Sequence, residues 1–316
     1  MPSPFLASHW VHDLSPFLIR FSESFGIRWY GLAYVIGFLG AYLMLKWLVR
    51  KDCSELREDQ VADFITYGAL LGVMLGGRLG YMLFYSFDEF IHRPWIFFQF
   101  LQGGMASHGG ILGLVIFTWV YARVTKLSWP GLGDNLVTVS PIGIFFGRVA
   151  NFINGELYGH VTQSPIGVIF PRALGEENET IVAGVLNRFH ASSVEVLVEM
   201  SRTNTEIQAA LAEILPPRHP SQLYEAAVEG LLLFLILLAV RLRWKNLYHG
   251  ILTGLFFILY AIGRILVENV RVPDAERILG LTRGQFYSTF MLAIGAAFII
   301  WGFKTKRRNA PARTGA

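Results

Sequence analysis

Charge is scarce in this chain: Asp, Glu, Lys and Arg make up 16% of its 316 residues, against 53% hydrophobic. A water-soluble domain averages about 25% charged residues, so this composition excludes an exterior that faces water on all sides. Cysteine is almost missing as well. With Cys53 alone, neither an intramolecular disulfide nor a multi-thiolate metal site is possible. Its place in Arg50-Lys51-Asp52-Cys53 predicts a thiol in a solvated loop. Gly-x-Ser-x-Gly, Walker A and His-Glu-x-x-His sequences are absent, which leaves the common hydrolase, NTPase and zincin readings without support. Nothing in the sequence calls for a metal or an organic cofactor. Met1 to Ser24 lacks a basic stretch followed by an apolar core and a small-residue cleavage site, so no signal peptide is expected.

What the chain has is apolar length. Seven segments approach the ~20 residues that cross a bilayer: Trp29–Val49, Phe64–Tyr85, Met105–Val124, Leu132–Ala150, Leu223–Val240, Ile251–Val267 and Phe286–Phe303. Thirty-two glycines and 14% aromatics suit close helix packing and interfacial anchoring. A net charge of +4 would also fit a nucleic-acid binder, but the cations lie in short loops and the tail, so nucleic acid is not an expected partner. Arg50, Lys51 and Arg57 follow the first segment, Arg123 and Lys126 the third, Arg241, Arg243 and Lys245 the fifth, and Lys304, Lys306, Arg307 and Arg308 the seventh. The intervening loops are acidic or mixed, so the positive-inside rule puts the N-terminus outside and the C-terminus inside.

The expected fold is therefore an all-α polytopic membrane protein with seven transmembrane helices and a small extracytoplasmic cap. Residues 1–28 form an extracytoplasmic N-terminal segment, 29–154 helices one to four, 155–221 the cap, 222–303 helices five to seven, and 304–316 a basic cytoplasmic tail, disordered from Asn309. Within the cap, helices are predicted near Ser193–Arg202 and Glu206–Leu215, with a polar stretch from Glu176 to Glu179. Ser221 is the predicted N-cap of the fifth span.

Polar groups recur inside the apolar segments, where they are costly and mark functional sites. Gly77-Arg78, Gly147-Arg148 and Gly263-Arg264 each fall in the outer half of a span that runs outward. His108, between glycines in Gly103 to Gly110, begins a span that runs inward, and Arg28-Trp29-Tyr30 begins the first. At about 1.5 Å per helical residue these groups share one depth near the outer interface. Three guanidiniums at one level suit an anion, and a lipid phosphate matches their planar forks; snorkelling or pairing with carboxylates is the alternative. Tyr260, Arg264 and Glu268, spaced by four, share a face, with a local Arg264–Glu268 ion pair as the simplest reading and Arg271 as an extension. The glycines beside His108 predict a broken helix start that brings backbone near a ligand, and an imidazole suits proton transfer near neutral pH. Asn151 and Asn154 are placed to orient Arg148 or cap a helix, and Glu156 to neutralise a neighbour. His219 serves either the site or the interface. Gly68, Gly72, Gly76 and Gly80 form a stripe for close helix packing.

These motifs together resemble the bacterial prolipoprotein diacylglyceryl transferases over nearly the full length. The resemblance rests on Arg28-Trp29-Tyr30-Gly31, Gly76 to Tyr81, Gly103 to Gly110, the Gly-Arg-x-x-Asn-Phe-x-Asn-x-Glu-x-x-Gly pattern of Gly147–Gly159, Pro217 to Glu225 and Tyr260 to Glu268. It implies a multi-pass protein of the bacterial inner membrane that transfers the diacylglyceryl group of phosphatidylglycerol to the lipobox cysteine of prolipoprotein signal peptides, leaving a thioether and glycerol phosphate. It further implies that His108, Arg148, Arg264 and Tyr260 are catalytic. The expected phosphatidylglycerol contacts are Arg148, Arg264, Arg78, Tyr30, Asn151, Asn154, Glu156 and Glu268. The segment from Arg172 to Pro216 is long for the family. An anionic-lipid transporter or scramblase is the main rival, and it requires a polar path that the apolar inner halves of spans two, four and six do not offer. A membrane scaffold has no need of three arginines at one depth.

Overall fold

A computed structural model describes residues 9–22, 26–99, 103–273 and 276–308. The expected disorder from Asn309 onward, and residues 1–8, 23 and 24 of the stretch read for a signal peptide, lie outside these residues.

Helices dominate. They are α1 (Trp29–Arg50), α2 (Glu58–Tyr85), α3 (Phe87–His92), α4 (Ser107–Thr125), α5 (Trp129–Ile153), α6 (Glu179–Arg188), α7 (Val194–Ser201), α8 (Thr205–Ile214), α9 (Ser221–Arg243), α10 (Ile251–Glu268) and α11 (Arg283–Thr305). Among the described residues, six of them (α1, α2, α5, α9, α10 and α11) are long and apolar enough to cross a membrane, which makes this a multi-pass membrane protein. The remaining expected span coincides with α4, where Ser107, His108 and Arg123 dilute the apolar run. Two small sheets accompany the helices: β1 (Trp10–Val11) pairs in parallel with β4 (Val168–Ile169), and β2 (Phe17–Arg20) antiparallel with β3 (Gly26–Arg28). An all-α fold is thus corrected to a mostly helical one.

Both α2 and α9 widen into π-helical turns, over Gly68–Leu75 and Ala226–Leu232. Such turns shift the face on which following side chains emerge, and they concentrate at functional sites.

The chain divides into two compact units. The first comprises Met1–Gly37, Pro141–Leu233 and Ile258–Ala293. Between α5 and α9 it has an apolar core of its own, built on Ile169, Leu174, Leu197, Ile207, Leu211 and Leu215, each at most 1% exposed. α7 and α8 occupy the predicted stretches, capped by the Ser193 and Asn204 side chains. α6 grows out of the predicted polar stretch, with Asn178 accepting from the Ile181 N–H. Ser221 does not cap α9. It is the first helical residue, and its hydroxyl donates instead to the Leu157 carbonyl. His12 is buried against Phe152, whose carbonyl lies 2.8 Å from its Nε2, and burial pulls its pKa down to about 4.

The second unit comprises Phe38–Ser140, Phe234–Phe257 and Ile294–Ala316. Its core gathers Leu45, Leu48, Leu56, Val61, Phe64, Phe117 and Leu132. The glycine stripe of α2 meets α4 as its spacing predicts. A Cβ on Gly109 would stand 2.4 Å from the Gly76 carbonyl oxygen, and one on Gly113 2.2 Å from that of Gly72, so only glycine permits this approach. Cys53 is the exception to its expected place: it is fully buried, not solvated. Asp52 takes a left-handed conformation (φ 56°) and turns the chain back, so the Cys53 N–H reaches the Leu48 carbonyl at 2.9 Å. Buried Arg241 then donates to the Cys53 carbonyl and to Asn135 Oδ1. Asp134, also buried, accepts from Gly250 N–H, Thr253 N–H and Thr253 Oγ1 within 2.8 Å. Hydrogen bonds of this kind offset the cost of holding such groups away from water.

Candidate active site

The first unit assembles a buried cluster of three arginines and three carboxylates from α5, α9, α10 and the residues just beyond α10. Glu225 is its centre. One oxygen accepts from Arg264 Nη1 at 2.8 Å and from Arg271 Nη1 at 2.6 Å, and the other lies 2.9 Å from Arg148 Nε. Arg264 Nη2 also pairs with Glu268 at 3.0 Å, the local ion pair that the four-residue spacing predicts. Glu229, one turn beyond Glu225 in the π-helical stretch, stays 3.7 Å from both Arg148 and Arg264, outside hydrogen-bond reach. The Tyr260 hydroxyl feels the charges of Glu229, Arg148, Arg264 and Glu225.

The three guanidiniums are not equivalent. Arg271 is 4% exposed, Arg264 13% and Arg148 21%, while Glu225 and Glu229 have no exposed surface. Arg148 is thus the most exposed of the three, with its Nε 2.9 Å from Glu225 and its Nη2 still 3.7 Å from Glu229. Formal charges in the cluster sum to zero, which lets it lie within apolar helices.

Three residues after Arg148 on α5, Asn151 starts a second network, around the Glu156 carboxylate. Its Nδ2 donates to Tyr30 Oη and to Glu156 Oε1 (2.9 Å). Asn154 Nδ2 reaches the same oxygen at 3.5 Å, and Gln222 Nε2 donates to the Glu156 carbonyl at 2.6 Å. Two glycines of the Gly147–Gly159 motif shape the chain here. Gly155 has φ 64° and turns it out of α5. A Cβ on Gly159 would stand 2.3 Å from the Val270 carbonyl oxygen, and its absence lets Gly159 bridge to Arg271. His219 joins this turn through its backbone, its carbonyl accepting the Gly159 N–H at 2.8 Å, while its Nδ1 stands 3.2 Å from the Tyr224 hydroxyl.

Arg78 and His108 belong to the second unit. The Arg78 guanidinium is buried and donates to five carbonyls: Phe97 (3.1 Å), Gly104 (3.0 Å), Gln99 (3.2 Å), Ile96 and Gly103. These bonds fix the backbone that leads into α4. Gly103 and Gly104 both take left-handed φ values (82° and 81°), and the Ala106 N–H reaches the Gly77 carbonyl at 2.9 Å. His108, in the first turn of α4, is exposed beside the buried Gly109.

Glu225 and Glu229 escaped the sequence reading as site residues. Their signal is visible in retrospect: two carboxylates four residues apart within an apolar run, which demand cationic partners.

A family model described as prolipoprotein diacylglyceryl transferase matches residues 16–301. Three relatives carry the name phosphatidylglycerol–prolipoprotein diacylglyceryl transferase, each 38% identical to this chain. The match to the Bdellovibrio bacteriovorus protein spans 92% of this chain and 94% of the relative. A Legionella pneumophila protein aligns over 89% and 93%, and a Xanthomonas oryzae protein over 92% of each.

Proposed function

The chain belongs to the prolipoprotein diacylglyceryl transferase family, and on that premise we propose that it moves the diacylglyceryl group of phosphatidylglycerol onto the lipobox cysteine thiol of a prolipoprotein. The observation that carries this reading is the cluster around Glu225, where Arg148 sits partly open and offers an anion site inside a membrane protein. We place the enzyme in the bacterial inner membrane with seven spans, N-terminus out and C-terminus in, α4 being the additional span. Residues 155–221 then form an extracytoplasmic cap.

The reaction needs a nucleophile, a proton acceptor and a stabilised leaving group. A free thiol, with a pKa near 8.5, is a weak nucleophile until deprotonated. His108 takes that proton, and the thiolate attacks the glyceryl carbon bonded to the phosphate oxygen. A C–S bond forms and the C–O bond breaks. The departing group goes from a singly charged diester to a doubly charged monoester, glycerol phosphate. Arg148 meets this growing charge directly. Arg264 backs it, and Tyr260 orients the head group with Tyr30, Asn151, Asn154 and Glu156. Glu229, 3.7 Å from both arginines and partnered by the Tyr260 hydroxyl, is the carboxylate that yields when phosphate arrives. Glu268 keeps Arg264 in place. Arg78 changes role in this account: with five carbonyls on its guanidinium, it positions the segment carrying His108 and does not bind phosphate.

Purified protein, phosphatidylglycerol and a lipobox peptide provide the test. The expected products are lipidated peptide and glycerol phosphate; a scramblase moves lipid between leaflets and consumes none. Arg148→Gln is expected to lower turnover about 10²–10³-fold, and His108→Gln by about 10²-fold or more. Near-normal turnover in His108→Gln removes the base role, and an equal loss in the exposed-arginine variant Arg307→Gln removes the anion-site argument.

A further inference from the structure

The basic stretch at the C-terminus is not a loose polycation. After α11, the Lys306 N–H bonds back to the Gly302 carbonyl at 2.9 Å and Lys306 adopts φ 52°, a left-handed helix stop that reverses the chain. The segment then straps onto the loop between α9 and α10. The His249 N–H reaches the Arg307 carbonyl at 2.8 Å, Arg308 bridges Tyr248, and Arg308 Nη2 donates to the Tyr248 hydroxyl at 2.9 Å. The Arg308 guanidinium also covers the Tyr248 ring, 4.7 Å from its centroid.

This strap closes one side of a cavity of about 480 Å³ whose lining includes Arg243, Lys245, Arg308, Trp244, Tyr248 and Phe303. That size lies in the range of small-molecule sites. No acidic residue occurs in 241–250 or 301–308, so its three cations face no carboxylate from either segment that forms it. Trp244 and Phe303 are 54% and 59% exposed and stand at the ends of two membrane-crossing helices, where aromatics anchor at the headgroup level. A surface for nucleic acid or an acidic protein does not call for large exposed rings at the ends of two membrane-crossing helices.

We propose that this cavity binds the phosphate of an anionic lipid headgroup, with Arg243, Lys245 and Arg308 as its ligands and Trp244 and Phe303 against the glycerol and upper acyl chains. The site is separate from the one that carries the transfer reaction, and it ties the ends of α9 and α11 to a charged leaflet.

The test uses the full-length protein in neutral detergent, followed by native mass spectrometry. Short-chain phosphatidylserine is titrated against phosphatidylcholine, inorganic phosphate and a single-stranded oligonucleotide. The wild type is expected to retain phosphatidylserine at this site in preference to phosphatidylcholine. Arg243→Gln/Lys245→Gln/Arg308→Gln is expected to lose that binding roughly a hundredfold, at about fivefold per cation. Its melting temperature and lipobox-peptide turnover stay at wild-type values. Equal lipid occupancy in wild type and variant overturns the proposal. So does equal retention of phosphatidylcholine, or displacement of the lipid by inorganic phosphate or by the oligonucleotide at matched concentration. If the triple variant does not fold, Arg243→Gln and Lys245→Gln, neither of which touches the Tyr248–Arg308 contact, serve singly, and an unchanged affinity in both overturns it.

Discussion

Glu225 meets three guanidiniums with two oxygens, so neutralising it leaves three cations, one buried and two half-buried, on two remaining carboxylates. Removing one partner from a buried ion pair costs about 3–5 kcal/mol. Glu225→Gln is therefore expected to lower the melting temperature sharply and abolish transfer. Glu229→Gln, which removes arginine contacts at 3.7 Å and leaves an amide oxygen for the Tyr260 hydroxyl, is expected to fold and to bind phosphatidylglycerol more tightly, with KM down roughly fivefold. Thermal melts with KM and kcat for both variants check this, and the same loss in both removes the distinction. His12 gives a pH dependence. Its folded pKa of about 4 lies below the ordinary 6.5 because burial disfavours the charged ring, partly offset by the Phe152 carbonyl. Between those values the unfolded chain binds a proton that the folded chain refuses. Stability from this group is thus complete above pH 6.5 and lost as pH falls towards 4, about 3 kcal/mol in all. Melts from pH 7.5 to 4.5 are expected to fall less steeply in His12→Gln. At this scale the sequence showed the arginines of the cluster and the Arg264–Glu268 pair, but not the parts of Glu225 and Glu229. The oxygens that occupy Arg78 are backbone carbonyls, which leave no mark in residue identity. Cys53 misled because its charged neighbours concealed a turn that tucks it inside.

Six of the seven apolar segments coincide with helices long and apolar enough to cross a membrane; they were legible because length and composition alone reveal such a helix, and most of their ends fell within a few residues of the structure. The two-residue strands β1 and β4 were not, since their pairing joins residues more than 150 positions apart. α6 hid inside a polar stretch although Asn178 and Glu179 form a good helix start. The π-helical turns of α2 and α9 have no local signal either. The glycine stripe, by contrast, announced a close helix contact on α2 through its four-residue spacing, and α4 is the helix that makes it. That contact makes a sharp prediction. A Cβ on Gly109 would meet the backbone of Gly76 and Gly80 at 2.4–2.6 Å, which cannot yield as a side chain can. Gly109→Ala is expected to cost about 1–3 kcal/mol and, by shifting the neighbouring His108, to depress turnover beyond the loss of folded protein. Gly184→Ala, in open space on α6, is expected to be neutral or to raise the melting temperature. Equal effects leave the packing argument without support.

For the whole molecule the proposed orientation rests on the cations of four loop and tail segments. In a Cys53→Ser background, which is expected to stay active because the substrate supplies the nucleophile, single cysteines at positions 176 and 206 should react with an impermeant thiol reagent from the periplasm, and one at 304 only after the membrane is opened. The reverse pattern overturns the proposed topology. A zero net charge within the Glu225 cluster bears on the end of the catalytic cycle as much as its start. Glycerol phosphate leaves as a dianion that two arginines grip harder than they gripped the diester, and tight product would stall such an enzyme. On the proposed reaction Glu229, 3.7 Å from both, is placed to replace the spent head group and restore neutrality, so release of glycerol phosphate is expected to be the step that its return controls.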